Sequence, residues 1–295
     1  KQTFTQKQGK RLMFREYSKA LFKRVDTRQL MQFRPPILPP RIYSKQINVD
    51  NKHYAAYCQE MHWPKRHRMH PVYLQMLSLP LQMQCLLDKK SPFPLLGLIH
   101  GKNDISVLGD CDLSAPFECR VRFGDVRPHN RGWEFDILLE AFQQGQRVYQ
   151  AISSYLVKVK AVHVAPKPVS LDSLSTCDDE TETPIDELTV TADTGRRYAK
   201  LSGDYNPIHL YGLTAKLFGF HQPIAHGMWT LARSLSSLME NEERDISKLT
   251  CSFKRPVYLP SKVQVTKWCE DEVGVQVTVS DHQNKHKHMA MSVTF

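Results

Sequence analysis

The same order of elements is written twice in this chain, and that repeat restricts the fold more than any single motif does. In the first half, residues 42–49 read as a strand and 51–58 as a short helix. Residues 72–87 are apolar nearly all round, as a buried helix is, with Pro80 placed to kink or split it. Strand-like runs follow at 95–100 with 105–107, then at 117–123, 133–141 and 147–159. About 140 residues on, the order returns. A short strand at 188–191 precedes a helix over 193–202, capped by Asp193 or Thr194. A loop follows, then a helix from about 226 to 240 and strands at 249–253, 262–269, 273–280 and 287–295. The pattern predicts an α+β protein of two units, each a long helix wrapped by a curved antiparallel sheet.

Composition divides the chain around these units. Residues 1–41 form a basic amphipathic arm and a Pro-rich connector, 42–164 the first unit, 165–187 an acidic linker and 188–295 the second unit. Within the arm, Met13, Tyr17, Ala20, Leu21 and Val25 fall at helical spacing over residues 10–33, interleaved with Lys and Arg. Residues 1–45 hold twelve Lys and Arg against Glu16 and Asp26. The rest of the chain carries 28 residues of each sign, so the net charge of +10 belongs to the arm. Three roles compete for it: packing on the body, lying on an anionic membrane surface, or docking an acidic partner. A cleaved organelle-targeting peptide is a fourth reading.

No run of eighteen apolar residues is present, which argues against a transmembrane helix, and residues 1–41 contain no secretory h-region. The seven cysteines are scattered and never in a C-x2-C pair. That favours reduced thiols in a cytoplasmic setting over a disulfide framework or zinc ribbon. His62, His67 and His70, and likewise His282, His286 and His288, lack ligand partners at metal spacing, so no metal and no cofactor is expected. Gly101-Lys102-Asn103 lacks the glycines of a phosphate loop. The neutral body has no recognition module for nucleic acid.

The chemistry concentrates between Tyr198 and Gly227, which reads YAKLSGDYNPIHLYGLTAKLFGFHQPIAHG. Asp204 and His209 stand five residues apart on one irregular loop, where a carboxylate and an imidazole can together grip a water and pass protons at neutral pH. Ala225-His226-Gly227 then opens onto an apolar helical run whose free N–H groups could bond a carbonyl oxygen gaining charge. A lone D-x4-H is weak; the whole string is not. It resembles the hydratase-2 motif of the MaoC-like dehydratases, which are hot-dog-fold (R)-specific enoyl-thioester hydratases. The remainder is similar to family members with two hot-dog halves in one polypeptide, which act as 3-hydroxyacyl-thioester dehydratases.

The resemblance implies that Asp204 and His209 are catalytic and hold one water between them. It implies that Gly227 presents its backbone N–H to the thioester oxygen. Asn206 is either a loop-fixing hydrogen-bonder or a turn residue before Pro207, and His226 is a structural hydrogen-bonder beside the substrate site. Overlaying Tyr54 on Tyr198 sets Glu60 opposite Asp204 and Lys65 opposite His209, and the first half shows no counterpart of the A-H-G-M helix start. One half is therefore expected to be catalytic. The other should shape the substrate site, and in double hot-dog relatives it is thought to leave room for a long or bulky acyl chain. The expected partner is an acyl-CoA or acyl-carrier-protein thioester, which the basic arm would help to dock, and the protein is expected to be a monomer or homodimer. A hot-dog thioesterase and a non-catalytic acyl-thioester binder are the competing functions; the complete motif argues against both.

Overall fold

The computed structural model describes residues 27–95, 97–159, 182–283 and 286–295. Most of the expected arm helix and the centre of the linker lie outside them. The first half runs β1 (Tyr43–Ile47), α1 (Asn51–Met61), α2 (Val72–Leu77), α3 (Leu79–Leu86), β2 (Ile99–Val107), β3 (Phe117–His129), β4 (Gly132–Gln143) and β5 (Gln146–Lys158). The second runs β6 (Thr183–Val190), α4 (Thr194–Ser202), α5 (Gly212–Leu217), α6 (Gly227–Met239), β7 (Lys248–Phe253), β8 (Ser261–Glu270), β9 (Gly274–Asp281) and β10 (Lys287–Thr294).

All ten strands join one antiparallel sheet in the order β1-β3-β4-β5-β2-β7-β10-β9-β8-β6. Read outward from the centre, the two five-strand sets have the same order, so the halves are related by a pseudo-twofold axis through the β2–β7 pair. That pair aligns Lys102 with Ser252, Ile105 with Leu249 and Ser106 with Lys248. Period-two burial sets the inner face: Val275, Val277 and Val279 on β9 and Met289, Met291 and Val293 on β10 are buried. Helix α6 buries Leu231, Ala232, Leu235, Leu238 and Met239, a stripe at helical spacing. In the first half the apolar run divides at Ser78, with Pro80 in the opening turn of α3, where its missing N–H costs nothing.

Helix ends are fixed locally. The Asp50 carboxylate accepts the N–H groups of Lys52 at 2.8 Å and His53 at 3.1 Å, which starts α1. Asp193 flanks α4 as expected but makes no capping bond to the helix; its carboxylate is taken by Thr191 at 2.6 Å and Arg197 at 2.5 Å.

Three expectations change. The second half's first strand begins at Thr183 rather than at 188, because this polar stretch pairs with β8 at the sheet edge. Its acidic side chains meet cations there, Glu187 with Lys262 at 2.7 Å and Asp186 with Arg233 at 3.6 Å. The runs at 95–100 and 105–107 are one strand, β2, with a bulge between His100 and Lys102. Helix α5 was not expected.

Because β2–β7 makes one sheet of both halves, they should unfold together. Far-UV circular dichroism and tryptophan fluorescence should give one coincident denaturant transition. Leu249→Ala, which hollows the seam, should lower the unfolding free energy by about 2–5 kcal/mol without splitting that transition.

Candidate active site

Helix α4 ends at Gly203 in the left-handed region, φ 76°, a conformation that glycine adopts without strain and that turns the chain out of the helix. The next residues organise themselves. The Asp204 N–H donates to Ser202 Oγ at 3.1 Å, and the Asp204 carboxylate accepts the Asn206 N–H at 3.1 Å. The Asn206 side chain accepts the N–H of Ile208 at 3.4 Å and so caps the short 3-10 turn Pro207–His209. A Cβ on Gly195 would lie 2.0 Å from the His209 carbonyl oxygen, so only glycine at this point of α4 lets the turn lie against the helix.

This turn delivers His209 into the interior. Its Nδ1 donates to the Ile224 carbonyl at 2.8 Å. A carbonyl can only accept, so Nδ1 holds the proton of the neutral ring and Nε2 keeps a lone pair. His226, at the mouth of α6, bonds through Nε2 to the Asp204 carbonyl at 3.0 Å, and its ring stacks on that of His209 with centroids 3.7 Å apart. Its Nε2 is 3.9 Å from Asp204 Oδ2. One ligand-type atom from each of Asp204, His209 and His226 lies within 4.8 Å of the others. Among the described residues these three are also the one group spaced so that a metal ion could be held.

Burial sets the protonation of the rings. It holds His209 below its ordinary value, opposed by the Asp204 charge and the Ile224 bond. His226 is pushed down to about 3 by burial and then by His209, so it stays neutral. Gly227 is the first residue of α6, and a Cβ there would sit 3.0 Å from the Phe253 ring. The aromatic ring thus closes the space beside a helix N-terminus whose N–H groups carry partial positive charge.

The first half lines this site with residues that the sequence did not single out. His100 on β2 stacks on Tyr155 of β5 at 4.7 Å and meets Phe253 at 5.1 Å. The Asp204 charge acts on both His100 and Tyr155, although burial dominates, holding His100 at about 4 and raising Tyr155.

The first half's own counterpart is disarmed. Glu60 is bound by Arg197 at 3.1 Å and by the Trp229 indole at 3.4 Å. A helix start like that of the second half does exist there, contrary to expectation: Met69-His70-Pro71-Val72 leads into α2 as Ala225-His226-Gly227-Met228 leads into α6. His70 is buried against Tyr57 as His226 is against Tyr198. Pro71 stands where the second half has Gly227, and proline has no N–H to offer an oxyanion. A cleft of about 420 Å³ remains at this end of the seam, lined by Trp63, Pro71, Leu108 and Ser247 among others. Of the other histidines, His67 bonds to the Met239 carbonyl, His282 to Glu187 and His286 to Asp281, each with a separate partner.

Known proteins share this architecture. Residues 176–290 match the family model of the MaoC like domain. The chain is 27% identical over 258 residues to 3-hydroxyacyl-thioester dehydratase X of Mycobacterium tuberculosis, covering 87% of this chain and 90% of that one. The crystal structure of HtdX from Mycobacterium tuberculosis superposes with a TM-score of 0.72 at 24% identity, over 86% of this chain and 99% of that one. A MaoC-like dehydratase from Phytophthora capsici gives a TM-score of 0.71 at 16% identity, over 92% and 98%. The fold is therefore a double hot-dog. Residues 176–290 thus carry a MaoC like domain, and proteins similar to the chain are named hydratases and dehydratases, which are hydro-lyases.

Three buried neutral imidazoles carry a consequence for stability. His70 and His226 are held at about 3 and His100 at about 4, all below the 6.5 of the unfolded chain. Between those values the unfolded state binds protons that the folded state refuses, so stability is full above pH 6.5 and is lost as pH falls. Each histidine should contribute about 1.4 kcal/mol per pH unit in that window. Denaturant titrations at pH 7, 6 and 5 should show this slope, and His70→Gln should remove about a third of it.

Proposed function

We propose that this protein is a hydro-lyase that adds water to trans-2-enoyl thioesters and, in reverse, dehydrates (3R)-hydroxyacyl thioesters. The observation that carries the reading is the convergence of Asp204 and His209 beside His226 at the start of α6, with His209 Nδ1 bonded so that Nε2 keeps the lone pair. His209 Nε2 takes a proton from water as the water oxygen bonds to C3. The C2=C3 electron pair moves toward the thioester oxygen, which the Gly227 N–H and the α6 N-terminus stabilise. The proton that water gave up passes through the Asp204–His209 pair to C2, leaving the pair as it began. Delivery of both groups from one loop puts them on one face of the substrate. His226 holds Asp204 through its carbonyl and supports the His209 ring, while Asn206 fixes the turn between them.

The substrate is an acyl-CoA or acyl-carrier thioester of fatty-acid metabolism, by likeness to the named relatives. Among the described residues no helix is long and apolar enough to cross a membrane, and Cys58, Cys85, Cys111, Cys119 and Cys251 form no disulfide, in keeping with a reducing compartment. The basic arm would assist docking of the carrier and take no part in the chemistry.

Two outcomes test the assignment. Asp204→Asn and His209→Ala should each lower the hydration rate on crotonyl-CoA by roughly 10²–10⁴-fold while remaining folded, and the double variant should lose little more than either. Near-normal turnover in folded Asp204→Asn would end the assignment. Because His209 is held below 6.5 and acts as a base, the acid limb of kcat/KM should fall below pH 6.5. A limb rising toward acid would show that the imidazolium is the working form.

A further inference from the structure

Behind the aromatic wall of the site, the first half is polar where an acyl chain would run. The path is continuous. Phe253 borders Gly227, His100 meets Phe253, and His100 Nε2 lies 3.5 Å from the Asn103 amide nitrogen. Register puts His100 opposite Tyr155 and Asn103 opposite Ser153. Asn103 donates to Ser153 Oγ at 2.7 Å, and Gln75 of α2 donates to the same oxygen at 2.5 Å. Gln82 of α3 donates to Ser78 Oγ at 2.7 Å and accepts the Tyr155 hydroxyl at 3.3 Å. Gln75, Asn103, Ser153 and Gln82 are each less than 5% exposed.

This cluster is incompletely satisfied. No described protein group donates to the carboxamide oxygens of Gln75 and Asn103, although both are buried. A buried amide oxygen with neither water nor a donor is costly, and hydrocarbon supplies neither. A long alkyl chain driven past Tyr155 would have to break the Ser153 bonds of Gln75 and Asn103 and would offer no hydrogen-bond partner in return.

We infer that the acyl end of the site stops at the His100–Tyr155 stack and that the Gln75–Ser153–Asn103 cluster behind it selects short-chain acyl thioesters and rejects long unbranched ones. The inference rests on the acyl-thioester reading of the site and departs from the roomy degenerate half of double hot-dog relatives. The residues are specificity-determining rather than catalytic, since they lie beyond the reacting carbons.

The test is kcat/KM on trans-2-enoyl-CoA of four, eight and twelve carbons. The value should fall about 10–100-fold from four carbons to twelve, the effect of leaving one buried polar group unpaired. The triple variant Gln75→Met, Asn103→Leu, Ser153→Ala keeps the volume and removes the polarity. Its twelve-to-four ratio should rise about tenfold. Ser153→Ala alone, which unfolds least, should move the ratio in the same direction. A flat or rising profile in the native protein, or an unmoved ratio in a folded variant, overturns the inference. If no chain length is hydrated, the hydratase reading fails, and calorimetric binding of butyryl- and dodecanoyl-CoA decides the inference separately. Tighter binding of dodecanoyl-CoA would contradict it.

Discussion

The antiparallel pairing of β2 with β7 is the constraint on which the rest depends. Five aligned residue pairs join two α+β units that would otherwise each expose a sheet edge. The join also places the start of β2 beside the end of β7, so that His100 and Tyr155 of one half stand against Phe253 and the α6 N-terminus of the other. A separated second half would keep Asp204 and His209 on their loop. It would lose the aromatic wall beside the α6 N-terminus.

The two halves keep one architecture and differ in a few residues that decide the chemistry. Both place a buried histidine before the central helix, and both turn it toward an aromatic ring from the preceding helix. In the second half this histidine bonds to the Asp204 carbonyl; in the first, His70 bonds to Ala232 of α6 across the seam at 3.2 Å. Glycine against proline at the helix mouth then separates a helix that can bind an oxyanion from one that cannot. Among the described residues, only the second half brings a carboxylate and two imidazoles together in this way. That division explains why Glu60 has become an interface carboxylate, bound by Arg197 and Trp229, rather than half of a second pair.

Much of the architecture was legible because burial writes itself as period. The alternation in β9 and β10 and the apolar stripe of α6 come from core packing, and a sequence displays them directly. The polar edge strand β6 carries no such stripe, since it is held by backbone pairing with β8 and by ion pairs. The middle of β2 was hidden for the opposite reason: Asn103 is buried but polar, serving a side-chain network rather than the core. At the site, Asp204, His209 and Gly227 were readable because they share one continuous string. His100, Tyr155 and Gly195 were not, because their contributions exist only after distant segments meet. The counterpart of the helix mouth in the first half was missed because its glycine has become proline.

The most direct measurement of the central account is the stereochemistry of water addition. Hydration of a crotonyl thioester in deuterium oxide, followed by NMR and chiral analysis, reports which faces of C2 and C3 receive deuterium and oxygen. Delivery of both from the Asp204–His209 loop predicts a (3R)-3-hydroxybutyryl product with deuterium on the same face as the hydroxyl. A (3S) product, addition to opposite faces, or release of free thiol without a hydrated product would contradict it.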